Sequence, residues 1–93
     1  MLKDVVVSLE KLGKQAASAP EAVKVEEAIK TSRAALQTVR DSAGENLKGM
    51  LTQLDSELST WQSKLSVILK EPAARQGMSK HVNYWVERLK NVS

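Results

Sequence analysis

Apolar residues recur every three or four positions along almost the entire chain, and this spacing restricts the possible fold more than any other feature. It places the apolar side chains on one face of an α-helix, which completes a turn about every 3.6 residues. The chain contains no alternating strand pattern and no Asn-Gly or Asp-Gly hairpin signal. The sequence therefore predicts an all-α protein.

The apolar stripes and their interruptions predict a small up-and-down bundle of four helices with short connections. The helices lie near 2–17, 19–41, 43–70 and 78–91. The second and third begin at segments 18–21 and 42–45, Ser-Ala-Pro-Glu and Ser-Ala-Gly-Glu, which have the form of capping boxes. Glu71 and Pro72 end the third helix, because Pro lacks an N–H and the residue before it avoids helical angles. Ser79 is the predicted N-cap of the last helix, after a short connector over 72–77 for which one further helical turn is the alternative.

The second and third helices can also be read as one long helix that changes its buried face near Gly44. Four apolar positions from 39 to 51 are each four residues apart, which a single straight stripe does not accommodate. A chain reversal is the preferred interpretation, because a Gly and a capping sequence coincide there. The reversal brings Arg33 and Asp55 close together, whereas a continuous helix separates them by about 33 Å at 1.5 Å per residue.

Length and composition indicate one helical domain over residues 1–93, with a core of aliphatic side chains. The chain has no Cys, and therefore neither disulfides nor thiolate metal ligands. Near its start only Val5 to Val7 form an apolar run, which is too short for a secretory signal. No run approaches the roughly 18 apolar residues of a membrane span. A cytoplasmic protein without membrane association is therefore expected.

The side chains offer little for catalysis or metal binding. His81 is the only His, and no acid lies three or four positions away from it. A distant acid can still approach it through folding, which sequence spacing does not reveal. The four Gly residues are scattered, so no phosphate-binding loop is predicted. We therefore expect no enzyme activity, no metal site and no bound cofactor.

The last predicted helix combines aromatic and basic residues on one flank. Trp85 falls on its apolar face and is expected in the core, whereas His81, Tyr84 and Arg88 form a line beside that face. Tyr and Arg are enriched at the centres of protein interfaces, so these three residues form the candidate partner-binding surface. The alternative is that His81 and Tyr84 only border the core and keep their polar ends in water.

The third predicted helix carries the longest apolar stripe, which suggests self-association. The stripe spans about 33 Å, whereas the first and last helices span about 24 Å and about 20 Å at 1.5 Å per residue. Either these two helices share the stripe end to end in a monomer, or a second copy covers it in a two-fold homodimer, which is the preferred interpretation. The candidate oligomer seam consists of Leu47, Leu51, Leu54, Leu58, Trp61 and Leu65.

The net charge of +3 is concentrated in the last quarter of the chain. Residues 1–69 contain nine Lys or Arg and nine Asp or Glu, whereas residues 70–93 contain five and two. Nucleic-acid affinity grows with the number of neutralised phosphates, and this basic patch is dilute. We expect a non-enzymatic helical protein-interaction or structural module that binds another protein or a second copy of itself. The alternative is a small basic nucleic-acid-binding or regulatory protein that uses its C-terminal helix.

Overall fold

Five helices account for all the regular structure in residues 2–18 and 21–92, which are the residues that the computed structural model describes. They are α1 (Leu2–Ser18), α2 (Ala22–Arg40), α3 (Glu45–Ser63), α4 (Leu65–Lys70) and α5 (Pro72–Val92). The prediction of an all-α protein is confirmed. None of the described helices combines the length and the apolar character needed to cross a membrane.

The helices form an elongated bundle that measures 38 × 21 × 17 Å along its principal axes. Helix α1 packs against both α2 and α5, while α3 packs against α2 and the short α4 packs against α5. Helices α1 and α5 run antiparallel, because Glu10 pairs with Lys90 at 3.7 Å and Gly13 contacts Ser79. The first and last long helices therefore run in opposite directions, as an up-and-down bundle of four long helices requires.

One core collects the apolar stripes of the helices. It is built from aliphatic side chains and one Trp, and each fully buried Leu, Ile or Val contributes about 1.5–3 kcal/mol relative to an exposed position. Its largest fully buried side chains are Trp85, Leu9, Leu12, Ile29, Leu36, Leu51, Leu54, Leu58, Leu89, Val5, Val25 and Val82. These residues belong to the stripes that the sequence predicts. The one buried polar residue among the described positions is Ser32, whose hydroxyl donates to the Ala28 carbonyl at 2.9 Å.

The chain reverses between α2 and α3, as predicted, and the alternative of one long helix is wrong. Asp41 to Gly44 form the connection, and Gly44 is extended, with φ −71° and ψ 169°. Across the reversal, Nε of Arg33 lies 2.9 Å from Oδ1 of Asp55. The same guanidinium donates through Nη1 to Oε1 of Gln62 at 2.9 Å. The side chain of Arg33 in α2 thus bonds to two residues of α3.

The predicted capping box at 42–45 does not form. Gly44 is the N-cap and Glu45 is the first helical residue, so Glu45 lies two positions before the third helical position from which a capping-box Glu reaches back to the cap. The hydroxyl of Ser42 instead donates to the carbonyl of Val39 at 3.3 Å, which satisfies the end of the preceding helix. Ser42 therefore caps the C-terminus of α2 and not the N-terminus of α3.

The two described residues of the predicted capping box at 18–21 do not take the positions that the prediction gives them. Ser18 belongs to the last turn of α1, and Glu21 is the N-cap of α2, with an extended backbone at φ −81° and ψ 123°. Residues 19 and 20 and the side chain of Ser18, on which the rest of that prediction depends, lie outside the described residues. Helix α2 begins at Ala22, three positions later than predicted.

The predicted continuous helix over 43–70 is interrupted at Lys64. Its backbone leaves the helical region, with φ −106° and ψ 13°, while its N–H still bonds to the Thr60 carbonyl at 3.1 Å. The interruption separates the six-residue α4, which packs against both α5 and α2. Leu65, the first residue of α4, is buried in the core. Periodicity alone does not reveal the break, because the apolar stripe continues across it.

The last helix begins at Pro72, so the predicted connector at 72–77 and the predicted start near 78 are wrong. Glu71 is extended, as expected before Pro, but Pro72 then takes the first helical position, where no N–H is needed. The side chain of Arg75 donates to the carbonyl of Leu69 at 2.8 Å and closes the end of α4. Helix α5 is therefore 21 residues long, about 30 Å at 1.5 Å per residue.

Ser79 lies inside α5 and is not its N-cap. Its hydroxyl donates to the carbonyl of Gly13 in α1 at 3.1 Å. A Cβ atom at Gly13 would lie 3.4 Å from Oδ1 of Asn83 and 3.5 Å from Cγ1 of Val82, which is an ordinary van der Waals distance. Gly13 therefore lies in the contact between α1 and α5, with room for a methyl group.

Candidate functional site

His81, Tyr84 and Arg88 lie together on one flank of α5, as the sequence predicts. The ring centroids of His81 and Tyr84 are 6.0 Å apart, and the guanidinium carbon of Arg88 is 5.5 Å from the Tyr84 centroid. Tyr84 is 55% exposed, which is among the highest values for a large apolar or aromatic side chain here. The three residues therefore form a continuous surface on the outside of the bundle.

Helix α3 supplies a residue that sequence spacing did not identify, Glu57. Its Oε1 lies 3.0 Å from Nε2 of His81, and its Oε2 accepts a hydrogen bond from Nε1 of Trp85. His81 thus has an acid neighbour after all, 24 positions away in the chain. The only sequence signal was that Glu57 directly precedes Leu58 and borders the apolar stripe. Such a position alone does not indicate which helix it will face.

Ring contacts extend the cluster from α5 to α3. The Trp61 and His81 centroids are 5.6 Å apart with an interplanar angle of 83°, an edge-to-face arrangement. Tyr84 and Trp85 meet in the same manner at 6.1 Å. Such pairs contribute about 0.5–1.5 kcal/mol beyond the area they bury. Trp85 is 1% exposed, which confirms its predicted place in the core, and Trp61 is half-buried beside it.

Arg88 is held by rings and not by a carboxylate. Its guanidinium carbon lies 4.6 Å from the centroid of the Trp85 ring, a cation–π contact. Within residues 2–18 and 21–92, no Asp or Glu forms a salt bridge with it. The two acidic oxygens of Glu57 are engaged by Trp85 and His81 instead. Arg88 therefore presents a positioned positive charge to solvent.

These side chains border an open groove of about 470 Å³ between α3 and α5. Its lining consists of Gln53, Glu57, His81, Tyr84, Trp85 and Arg88. We call the outer surface formed by Trp61, His81, Tyr84 and Arg88 the α3–α5 face. It combines aromatic area, one free cation and a groove, which are the features of a recognition surface.

A second groove of similar volume lies between α1 and α2, but its lining is of a different kind. Six of its eight lining residues have polar or charged side chains, and none of the described residues that line it is aromatic. Its lining consists of Val7, Ser8, Lys11, Gln15, Lys24, Glu27, Ala28 and Thr31. Lys24 is already 3.9 Å from the carboxylate of Glu21, and both side chains are exposed. This groove therefore lacks the aromatic side chains that the α3–α5 face presents.

The residues of the candidate oligomer seam lie mostly inside the bundle. Leu51, Leu54 and Leu58 have no exposed surface, and Leu65 is 6% exposed. Leu47 and Trp61 are only partly buried. Within the chain, α2 and α4 pack against α3 and cover most of the seam. Four of the six seam residues are therefore buried within one chain, and Leu47 and Trp61 keep more of their surface exposed.

Within the described ranges, no group of three or more His, Asp or Glu side chains is placed to hold a metal ion. Glu57 and His81 are one pair, and the guanidinium of Arg88 carries a positive charge close by.

A comparison with protein-family models finds no matching family, and comparisons with curated proteins and with solved structures find no similar chain.

Proposed function

We propose that this chain is a non-enzymatic helical module that binds another protein through the α3–α5 face. The observation that carries the proposal is the arrangement of Arg88 over Tyr84 and Trp85, with Tyr84 more than half exposed. Tyr, Trp and Arg are the residue types that contribute most to binding at protein interfaces. Here they are held in place before any partner arrives, so little side-chain freedom is lost on binding.

The groove itself favours binding over catalysis. The described residues that line it include no Ser, Thr, Cys or Lys to serve as a nucleophile beside His81. His81 and Glu57 are engaged with each other at 3.0 Å, and Glu57 also accepts from Trp85. We interpret these contacts as supports that fix the shape of the face.

The partner is proposed to be a different protein and not a second copy. Self-association through Leu51, Leu54 and Leu58 would require the bundle to open, because these side chains are fully buried. Self-association through another surface and a cytoplasmic location stay predictions. Light scattering coupled to size exclusion tests the first: a mass near the 10.2 kDa of one chain is expected. A mass near twice that value would restore the homodimer.

Site-specific photo-crosslinking tests the proposed face. A photoreactive amino acid at Tyr84 is expected to trap a discrete protein in extracts of the source cells, and Arg88→Ala is expected to remove that product. The matched control is Val23 on α2, which is 67% exposed and lies outside the face. The proposal fails if position 84 yields no product or if positions 84 and 23 yield the same products.

A further inference from the structure

We propose that the α3–α5 face binds an acidic segment of a partner protein, with a carboxylate held by Arg88 and an apolar side chain packed against Trp61 and Tyr84. This inference rests on the proposed function and specifies the chemistry of the partner. It follows from the placement of Arg88, from the engagement of Glu57 and from the charge of α5.

The first observation is how Arg88 is held. Its guanidinium carbon lies 4.6 Å from the Trp85 centroid and 5.5 Å from the Tyr84 centroid. Contacts with aromatic rings use the flat face of a guanidinium, whereas its N–H donors point outward in the plane. A carboxylate is the planar acceptor that matches this fork with two parallel hydrogen bonds. The rings therefore orient Arg88 for such a partner without using its donors.

The second observation is that the acid on this face is already engaged. Oε1 of Glu57 meets Nε2 of His81 at 3.0 Å, and Oε2 accepts from the Trp85 indole. Glu57 is thereby kept from forming a salt bridge with Arg88, and no other acid in the described ranges forms one. An intramolecular carboxylate would have to leave before a partner's acid could bind. Within residues 2–18 and 21–92, Arg88 has no such competitor.

The third observation is the charge of the surrounding helix. Residues 70–93 hold five Lys or Arg against two Asp or Glu, while the rest of the chain is balanced. Helix α5 therefore carries the excess positive charge of the chain, of which Lys90 is paired with Glu10. Charge complementarity of this kind raises association rates and selects partners. The half-buried Trp61 and the exposed Tyr84 then provide apolar area for the remainder of the segment.

A nucleic acid fits the same observations less well. Affinity for a phosphate backbone depends on several neutralised phosphates, and stacked bases are usually accompanied by a row of cations. The α3–α5 face has one Arg and one His, and its groove also contains the carboxylate of Glu57. A partner with one well-placed acid and an apolar anchor needs no further cation.

Selection from a displayed library of random short peptides tests the inference on the full chain. Enriched peptides are expected to contain Asp or Glu next to an aromatic or aliphatic residue. Replacing that acid by its amide is expected to weaken binding about tenfold, since charged hydrogen bonds contribute more than neutral ones. Arg88→Glu should weaken binding at least as much and should select basic peptides instead. Arg88→Lys, which keeps the charge but loses the fork, should fall between them.

The other outcomes separate the inference from the proposed function. Peptides that depend on Tyr84 but bind equally well as amides would overturn the acidic partner and leave the binding face intact. Absence of any enriched peptide, or enrichment of peptides that are insensitive to both Tyr84→Ser and Arg88→Glu, would overturn both. A labelled single-stranded oligonucleotide that binds at physiological salt more tightly than the best peptide, and is lost in Arg88→Glu, would replace the protein partner by a nucleic acid. Val23→Ser is the control that should bind like the wild type in every arm.

Discussion

The indole N–H of Trp85 donates to a carboxylate oxygen of Glu57, 28 positions earlier in the chain. The bond gives the one polar atom of a nearly fully buried ring a partner, and that partner comes from a different helix. It therefore links the core of the bundle to the α3–α5 face. The second oxygen of the same carboxylate holds His81, so that one acid positions both residues.

Removal of this acid is expected to destabilise the fold. Glu57→Ala leaves the Trp85 N–H without its acceptor and should lower the free energy of unfolding by about 1–3 kcal/mol. Glu57→Gln keeps a carbonyl acceptor and should cost less. Chemical denaturation measures both, with Glu26→Ala as the control, because Glu26 forms only an exposed pair with Lys30 at 3.5 Å. Equal effects at positions 57 and 26 would contradict the role of the Trp85 bond.

The pair that spans the reversal should be energetically coupled. Nε of Arg33 and Oδ1 of Asp55 are 2.9 Å apart, and their side chains are 32% and 17% exposed. A double-mutant cycle with Arg33→Ala and Asp55→Ala should give a coupling free energy of about 0.5–1 kcal/mol. A continuous α2–α3 helix would separate the residues and give no coupling. Such a result would contradict the reversal at Gly44.

Gly13 should tolerate a small side chain and reject a large one. The Cβ of Gly13→Ala meets Asn83 and Val82 at ordinary contact distances, and Ala favours the helix. This variant should therefore gain about 0.5–1 kcal/mol of stability. Gly13→Leu inserts volume between α1 and α5 and should lose about 1–3 kcal/mol. Thermal unfolding distinguishes the two, and equal stability of both variants would mean that the helices are further apart than the structure shows.

Leu54 is expected to stabilise the fold by its burial within a single chain, and not by contact with a second copy. Because it has no exposed surface, Leu54→Ala should cost about 2–5 kcal/mol, and Leu54→Asp should prevent folding. Lys24→Glu on an exposed position should change stability by less than about 0.5 kcal/mol. The wild-type unfolding midpoint should not depend on protein concentration. A midpoint that rises with concentration would indicate that a second copy stabilises the fold.

The apolar stripes predict most of the core because helix periodicity fixes which residues share a face. Val5, Leu9, Leu12, Ile29 and Leu36 are buried as that periodicity requires. Helix ends were less predictable, because the local signals have two meanings. Pro72 both ends one helix and starts the next, and the sequence predicts only the first of these roles. Ser42 can cap a helix that follows it or bond back to the helix before it, and it does the latter.

The candidate site was predictable only in part. The line of His81, Tyr84 and Arg88 follows from spacing within one helix, and the structure shows these residues in contact. The contribution of Glu57 depends on how α3 and α5 are placed relative to each other. That placement results from the packing of the whole core and from the break at Lys64, neither of which has a local sequence signature. The contacts of Glu57 with His81 and Trp85 therefore cannot be predicted from local sequence and are seen only in the structure.

The contact between Gly13 and Ser79 has a consequence for the order in which this protein assembles. The two residues are 66 positions apart, so the interface between α1 and α5 closes a loop that contains most of the chain. During synthesis α1 can pair with α2 early, but its other side has no partner until α5 has left the ribosome. Formation of this interface is then expected to be the slow, late event of folding, because contacts between distant positions form slowly. The nascent chain would carry an exposed aliphatic surface until its last helix is complete.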